Sequence, residues 1–405
     1  MNRKHRLLKA TGLIVLILIV IIVLRNAKNK SCADGSCTLA DVPACEENCV
    51  KDSESPSKLV QSLIQISDDG GRVDWYKGES HETIAFDAVV DNLTKDTAVF
   101  TMNPDGNERV CVSCDTEIPE GFVGQPAWHP DGRHLIVQAE SSYSGHTVTE
   151  HVSFGLNNDL WIIDTQTKAA TRIWKTDLNH AALHPHFSPD GTKLIFAERI
   201  PTGIRLPIFG NITPGGENHW AGWQIRIADF DISNLTITSS FAVKPNGSGL
   251  YETNEFSTND IFTYSFTRGG ATYVNDIYKY DLAKHQSTQL ISSSGVWDEH
   301  GIFRPDDSGD LTYISSQADA NWQYPGKTAA DLSTELFIKR PNGDNIQLTE
   351  FNKDLSSPKR YIVSDYSWNK DGTQLAVQVA PKDKRTNAAD KPQIWLMTFN
   401  IASET

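Results

Sequence analysis

The chain has 405 residues, 22% of them charged and 9% aromatic, which is ample for a large core and excludes a disordered polymer. Its formal charge is −14, with 37 basic against 51 acidic residues. Seven of the bases (Arg3, Lys4, Arg6, Lys9, Arg25, Lys28 and Lys30) fall in residues 1–30, which hold no acid, so the remainder is more acidic still and would repel a phosphate backbone. Nucleic acid is thereby excluded as a partner class.

The first expected element is a membrane anchor. Ala10 to Leu24 is apolar apart from Thr11 and Gly12, and Leu7–Leu8 extend the run past Lys9. Counted over residues 7–24, with Lys9 and Arg25 snorkelling, the segment reaches the length of a single transmembrane helix. A cleaved signal peptide needs small residues after the apolar run, and Arg25, Asn26, Ala27 and Lys28 follow instead. The expectation is therefore a basic tail and signal anchor over residues 1–30, in a single-pass protein of the cell membrane whose body lies in the periplasm or outside the cell.

Residues 31–75 read as a Cys-rich spacer. Cys32, Cys37, Cys45 and Cys49 form one cluster, and Cys111 and Cys114 stand apart. Six cysteines in an exported chain point to disulfides, with fifteen pairings open. Zinc on the first four is the alternative, although their spacing matches no usual site. Cys111-x-x-Cys114 ends a strand-like run, Glu108 to Val112. It therefore reads as a local clip, since redox chemistry of this motif wants a helix N-terminus.

From residue 76 to 402 the pattern is all-β and repetitive. Five segments share an aromatic residue, one further residue, a turn and then an apolar strand. They are Trp128-His129-Pro130-Asp131-Gly132, Phe187-Ser188-Pro189-Asp190-Gly191, Phe256-Ser257-Thr258-Asn259-Asp260, Phe303-Arg304-Pro305-Asp306-Asp307 and Trp368-Asn369-Lys370-Asp371-Gly372. Pro presets φ, Asp or Asn bonds the turn backbone, and Gly accepts positive φ. A further strand copy, Ala98 to Met102, implies a first blade beginning near Ile84 and makes six. After Gln393–Asn400 too little sequence follows for another full strand, so a segment within Leu59–Ser67 or Arg72–Tyr76 should complete the last blade and remove its open edge. The surplus length between repeats falls around 140–157, 200–222 and 318–332, in loops where specificity would reside.

This repeat resembles that of TolB-like β-propellers. Phrases such as His184-Pro185-His186-Phe187-Ser188-Pro189-Asp190-Gly191, Trp223 to Phe230 and Trp297-Asp298-Glu299-His300 resemble exported, membrane-anchored members of that group. The resemblance implies a six-bladed propeller. It carries no specific activity, because one fold hosts many functions.

The strongest chemical lead is a set of His and acid residues before the repeated aromatics: His180, His184, His186, Glu252, Asp298, Glu299 and His300. Leading into the innermost strands, they would converge at one mouth of a central channel. Imidazoles with carboxylates suit a divalent transition metal. The competing reading is that these groups anchor turns and hydrogen-bond between blades. Oligogalacturonate lyases are similar propellers that hold a metal in this region. That resemblance implies a metal which acidifies the proton beside a sugar carboxylate, and a His or Lys which removes it. The acidity of the body argues against a polyuronate substrate. Trp220, Trp223, Trp297, Trp322 and Tyr324 would either stack on a ligand or pack between blades. No Gly-x-Ser-x-Gly elbow and no phosphate-binding glycine motif is present. The sequence thus favours a membrane-anchored propeller that binds an envelope protein or polymer, with a metal-dependent carbohydrate-active enzyme as the alternative.

Overall fold

The computed structural model describes residues 58–90, 96–141, 155–177, 180–200, 221–268, 274–319 and 331–400, and the backbone of 204–206 and 210–212. Within them, six four-stranded antiparallel sheets form the blades of a propeller. The first strand, β1 (Val60–Ser67), stands apart in sequence from the sheet it joins. Blade one is β2 (Val73–Trp75), β3 (Ile84–Val89), β4 (Thr97–Met102) and β5 (Val110–Cys111). Blade two is β6 (Val123–Trp128), β7 (His134–Glu140), β8 (Asn158–Asp164) and β9 (Ala170–Trp174). Blade three begins with β10 (Ala181–Phe187) and β11 (Lys193–Arg199). A small hairpin, β12 (Ile204–Leu206) and β13 (Gly210–Ile212), precedes its outer strands β14 (Trp223–Asp231) and β15 (Thr236–Val243). Blade four is β16 (Gly249–Thr258), β17 (Ile261–Arg268), β18 (Asp276–Asp281) and β19 (Gln286–Ile291). Blade five is β20 (Asp298–Phe303), β21 (Leu311–Ser315), β22 (Glu335–Lys339) and β23 (Asn345–Gln347). Blade six takes β24 (Lys359–Trp368), β25 (Gln374–Asp383) and β26 (Gln393–Phe399), with β1 as its outermost strand.

The ring is closed by β1, which runs antiparallel to β26 from Val60 opposite Phe399 to Ser67 opposite Ile394. Of the two segments considered for this role, Leu59–Ser67 fills it. Arg72–Tyr76 instead supplies the inner strand of blade one, which therefore starts at Val73 and not near Ile84. The propeller body accordingly begins before residue 76.

The turn motif does what its chemistry dictates. Gly132, Gly191 and Gly372 hold φ of 71°, 72° and 65°, and each donates its amide to the carbonyl three residues back. Asp131 Oδ1 accepts the amides of Arg133 (2.9 Å) and His134 (3.1 Å). Where the glycine is missing, Asp307 takes φ 59° in blade five. In blade four the strands run on into a tighter hairpin, with Thr258 opposite Ile261.

The hydrophobic core is divided into six layers, one at each junction between blades. Leu135 and Val137 pack with Ala85 and Val99 across blades one and two. Phe187 and Phe196 pack with Ala127 and Leu160 across blades two and three. The other four junctions are filled in the same way. The repeated aromatics belong to these layers. Trp128, Phe187, Phe256 and Trp368 are all buried, and Phe303 is partly so. Trp223 and Trp297 are also buried packing residues, while Trp220, Trp322 and Tyr324 lie outside the described residues.

Cys111 and Cys114 are disulfide-bonded to each other, with their Cα atoms 5.5 Å apart. Cys32, Cys37, Cys45, Cys49 and the anchor over residues 7–24 lie outside the described residues. Among the described residues no helix is long and apolar enough to cross a membrane.

Candidate functional site

Each inner strand except the three-residue β2 carries a register slip partway along, between Gly124 and Ala127, Leu183 and His186, Thr253 and Phe256, Glu299 and Ile302, and Val363 and Asp365. Such bulges re-aim a side chain. At three of them the slip places a non-glycine residue at positive φ: Gln125 (51°), His184 (51°) and His300 (50°). The freed amides are taken up by neighbouring blades. His184 N–H donates to Gln138 Oε1 (2.7 Å), His300 N–H to Ser265 Oγ (3.0 Å), and Gln125 N–H to Asp87 Oδ2 (2.8 Å). These bonds between blades run from backbone amides to side-chain acceptors, and leave the imidazoles of His184 and His300 to the channel.

The side chains at this level line the channel. Counting three residues back from the aromatic that closes or nearly closes each inner strand gives Arg72, Gln125, His184, Thr253, His300 and Asp365, all channel-lining. His184 and His300 face each other with ring centroids 5.2 Å apart. Arg72 Nη1 lies 3.3 Å from His300 Nε2, 3.1 Å from the Ser364 carbonyl and 3.9 Å from Asp365 Oδ2. One ligand atom from each of Glu252, Glu299 and His300 lies within 4.8 Å of the other two. Toward the far end of the channel, Lys77 Nζ contacts Glu255 (2.5 Å), Asp74 (3.6 Å) and Ser367 Oγ (3.2 Å). Thus β2 and its flanks supply both channel cations.

Burial dominates the electrostatics. It pushes the Glu299 carboxyl up to about 8, with Glu252 adding to the rise and Arg72 opposing it. It pushes Asp365 up to about 7, again against Arg72. Glu252 is raised for the same reason. Burial holds His184 and His300 well below the ordinary imidazole range, and Arg72 adds to that. It lowers His186 to about 3. Burial also works against the charge of Lys77, but Glu255 and Asp74 outweigh it and leave its pKa raised. Near neutral pH the imidazoles are consequently neutral acceptors or donors, and Arg72 and Lys77 carry the positive charge.

Of the residues singled out in the sequence, Glu252, Glu299, His300 and His184 converge, and His186 lines the channel farther along. His180 does not join them. It sits in the connection before β10, where its carbonyl accepts the Asn157 amide (2.8 Å). Asp298 is also turned away, fully buried in blade five with both carboxyl oxygens lacking a hydrogen-bond partner, and burial raises its pKa to about 6. Sequence reasoning missed Arg72, Lys77, Asp74, Glu255 and Asp365. The signal for Asp365 and Glu255 was their position relative to Trp368 and Phe256. Arg72, Asp74 and Lys77 had no such signal, because β2 lacks the turn motif.

The fit to a metal is mixed. Oxygen and imidazole donors are present, and Glu252 Oε2, His184 Nε2 and His300 Nδ1 are buried without a partner. Against this, Arg72 already occupies His300 Nε2. The channel space beside it, bordered by Arg72, His184, His300 and Asp365 but not by Glu252 or Glu299, is about 30 Å³, room for one or two waters but not for a sugar unit.

Larger openings lie at the two faces of the propeller. Strand direction alternates along each blade, so every connection between a blade's second and third strands returns to the face where the inner strand starts. These connections are residues 90–96, 141–157, 200–222, 269–275, 316–334 and 384–392. The opposite face carries the repeated turns, as short as Asn259–Asp260. A cleft of about 380 Å³ bordered by Arg72, Asp87, Gln125, Ser364 and Lys391 opens on the first face. Another of about 280 Å³, bordered by Lys77, Trp128, His186 and Glu255, opens on the second.

No protein-family model matches the chain, and no curated protein matches it. Among solved structures it is similar to TolB from Acinetobacter baumannii, with 15% identity over 75% of this chain and 59% of that one and a TM-score of 0.46. It is also similar to the β-propeller domain of the Trilobed protease from Pyrococcus furiosus, with 10% identity, 81% and 84% coverage and a TM-score of 0.40. A third likeness is to the acylaminoacyl peptidase of Pyrococcus horikoshii, with 12% identity, 80% and 45% coverage and a TM-score of 0.41. The chain thus spans less than two thirds of that TolB and less than half of the peptidase. No residue role is carried over from any of them.

Proposed function

We propose that this chain is a membrane-anchored binding module, held by residues 7–24 with its propeller outside the cytoplasm, that engages an envelope protein or polymer through the face bearing its long connections. The observation that carries this reading is one of size. The channel space beside His184 and His300 is about 30 Å³, too little for a polymer unit, whereas the strand ends that carry the longest connections lie on one face of the propeller. A metal-dependent, oligogalacturonate-lyase-like reaction would need substrate at that cluster, and the space there disfavours it.

The test is turnover. The full chain is offered neutral and acidic polysaccharides with added divalent metal, alongside His186→Ala and His300→Ala variants. The binding reading expects no product from any of them. Product formed by the parent chain and lost in either folded variant would overturn it. Deleting residues 7–24 is expected to release the protein from the membrane fraction, and a deletion that leaves it there would remove the anchor from this account.

A further inference from the structure

We propose that His184, Glu252, Glu299 and His300 form a site for a single divalent transition-metal ion, and that Arg72 competes with that ion for His300. The ligands come from β10, β16 and β20, so the ion would tie blades three, four and five together at the axis. It is a structural role, independent of what the propeller binds.

Three observations converge. One donor atom each from Glu252, Glu299 and His300 lies within 4.8 Å of the others. His184, only 6% exposed, lines the channel beside His300 with its Nε2 unpartnered, their ring centroids 5.2 Å apart. Glu252 Oε2 and His300 Nδ1 are likewise buried without a partner. Each orphaned polar atom costs roughly 1–3 kcal/mol, and a cation would relieve all of them together. Two carboxylates balance a double charge, and the imidazole nitrogens select a first-row ion such as Zn²⁺ or Mn²⁺ over the all-oxygen preference of Ca²⁺ or Mg²⁺.

The competition follows from proton bookkeeping on one ring. If Arg72 Nη1 donates to His300 Nε2, as their 3.3 Å separation allows, the ring proton sits on Nδ1. A metal on Nδ1 needs the lone pair there, which moves the proton to Nε2 and sets it against the Arg72 donor. A metal on Nε2 displaces Arg72 outright. In both cases Arg72 leaves His300 for partners it already approaches, the Ser364 carbonyl and Asp365. Asp365 Oδ1, 3.9 Å from His300 Nδ1, is placed to orient the ring in the second case.

The experiment uses the full chain, purified in detergent without chelator or polyhistidine tag. It is stripped, then titrated with Co²⁺ followed by visible absorption and with Zn²⁺ by competition. One equivalent is expected to bind. Affinity should fall at least about tenfold in Glu299→Gln and His300→Gln and rise about tenfold in Arg72→Gln, with folding checked by circular dichroism. Two results would overturn the site. In one, the parent and Arg72→Gln are both folded and metal-free at millimolar ion. In the other, binding survives Glu299→Gln and His300→Gln but is lost when Cys32, Cys37, Cys45 and Cys49 are replaced by serine. If the Glu299 and His300 variants do not fold, the Arg72 variant decides alone, and unchanged affinity there contradicts the proposal.

Discussion

At the scale of single residues, Arg72 is the charge around which the channel is arranged, bearing on His300, Asp365, Glu252, Glu299 and Asp87 together. Asp87 provides a clean probe, because its carboxylate accepts the Gln125 amide and burial raises its pKa to about 6. A raised carboxyl contributes stability that is fully present below its unfolded pKa of about 4 and is lost as pH rises through about 6. Asp87→Asn keeps an acceptor for Gln125 and removes the charge. It should therefore melt higher than the parent at pH 7.5, by on the order of 1 kcal/mol for this half-buried group, and equal it near pH 4. A lower melting point at pH 7.5 would show that the ionised carboxylate is the stabilising form. The convergence of His184, Glu299 and His300 was legible in the sequence because each precedes a recognisable aromatic at a similar distance. Arg72 and Lys77 were not, since they flank a three-residue strand with no motif of its own. Nor could spacing tell that Asp298 would turn away from the channel while Glu299, the next residue, joins the cluster.

At the scale of elements, the repeated turn works as a latch as well as a bend. The Gly191 carbonyl faces His129 Nε2 of the preceding blade at 3.3 Å, and Arg304 Nε donates to the Gly372 carbonyl at 2.7 Å. A Cβ on Gly191 would lie 2.4 Å from His129 Nε2, at φ 72°. Gly191→Ala should therefore cost about 2–3 kcal/mol, from strained φ and a displaced contact between blades. Gly247 also has positive φ (84°) but nothing within 4 Å of an added Cβ, so Gly247→Ala should cost about 1 kcal/mol. Equal losses in chemical denaturation would remove the latch from the explanation. Ring closure is tested by truncation. A chain beginning at residue 70 loses β1 and the buried Leu59 and Val60. It should be less stable by at least about 3–6 kcal/mol than one beginning at residue 58. Equal stability would mean that β1 is dispensable. The need for a closing strand could be inferred by counting strands at the C-terminus. Its exact segment could not, because Leu59–Ser67 and Arg72–Tyr76 are both short β-rich runs and only the three-dimensional order separates them.

At the scale of the whole molecule, the architecture divides stability from recognition. Six similar core layers hold the blades together, and among the described residues of the long connections Leu156 is the one that joins them. The repeat made the blade count legible, because each turn motif carries its own physical reason. What the connections recognise was not legible, since binding surfaces depend on the composition of irregular segments and not on periodicity.

The most direct test of the binding-module reading is site-specific photocrosslinking from the full chain in its native envelope. Probes are placed on the long-connection face, at Gln317 and Lys384, and on the turn face, at Asp190 and Asp371. Discrete adducts from Gln317 or Lys384, with none from Asp190 and Asp371, are the expected result. Adducts confined to Asp190 and Asp371, or none from any position, would contradict the assignment of recognition to that face.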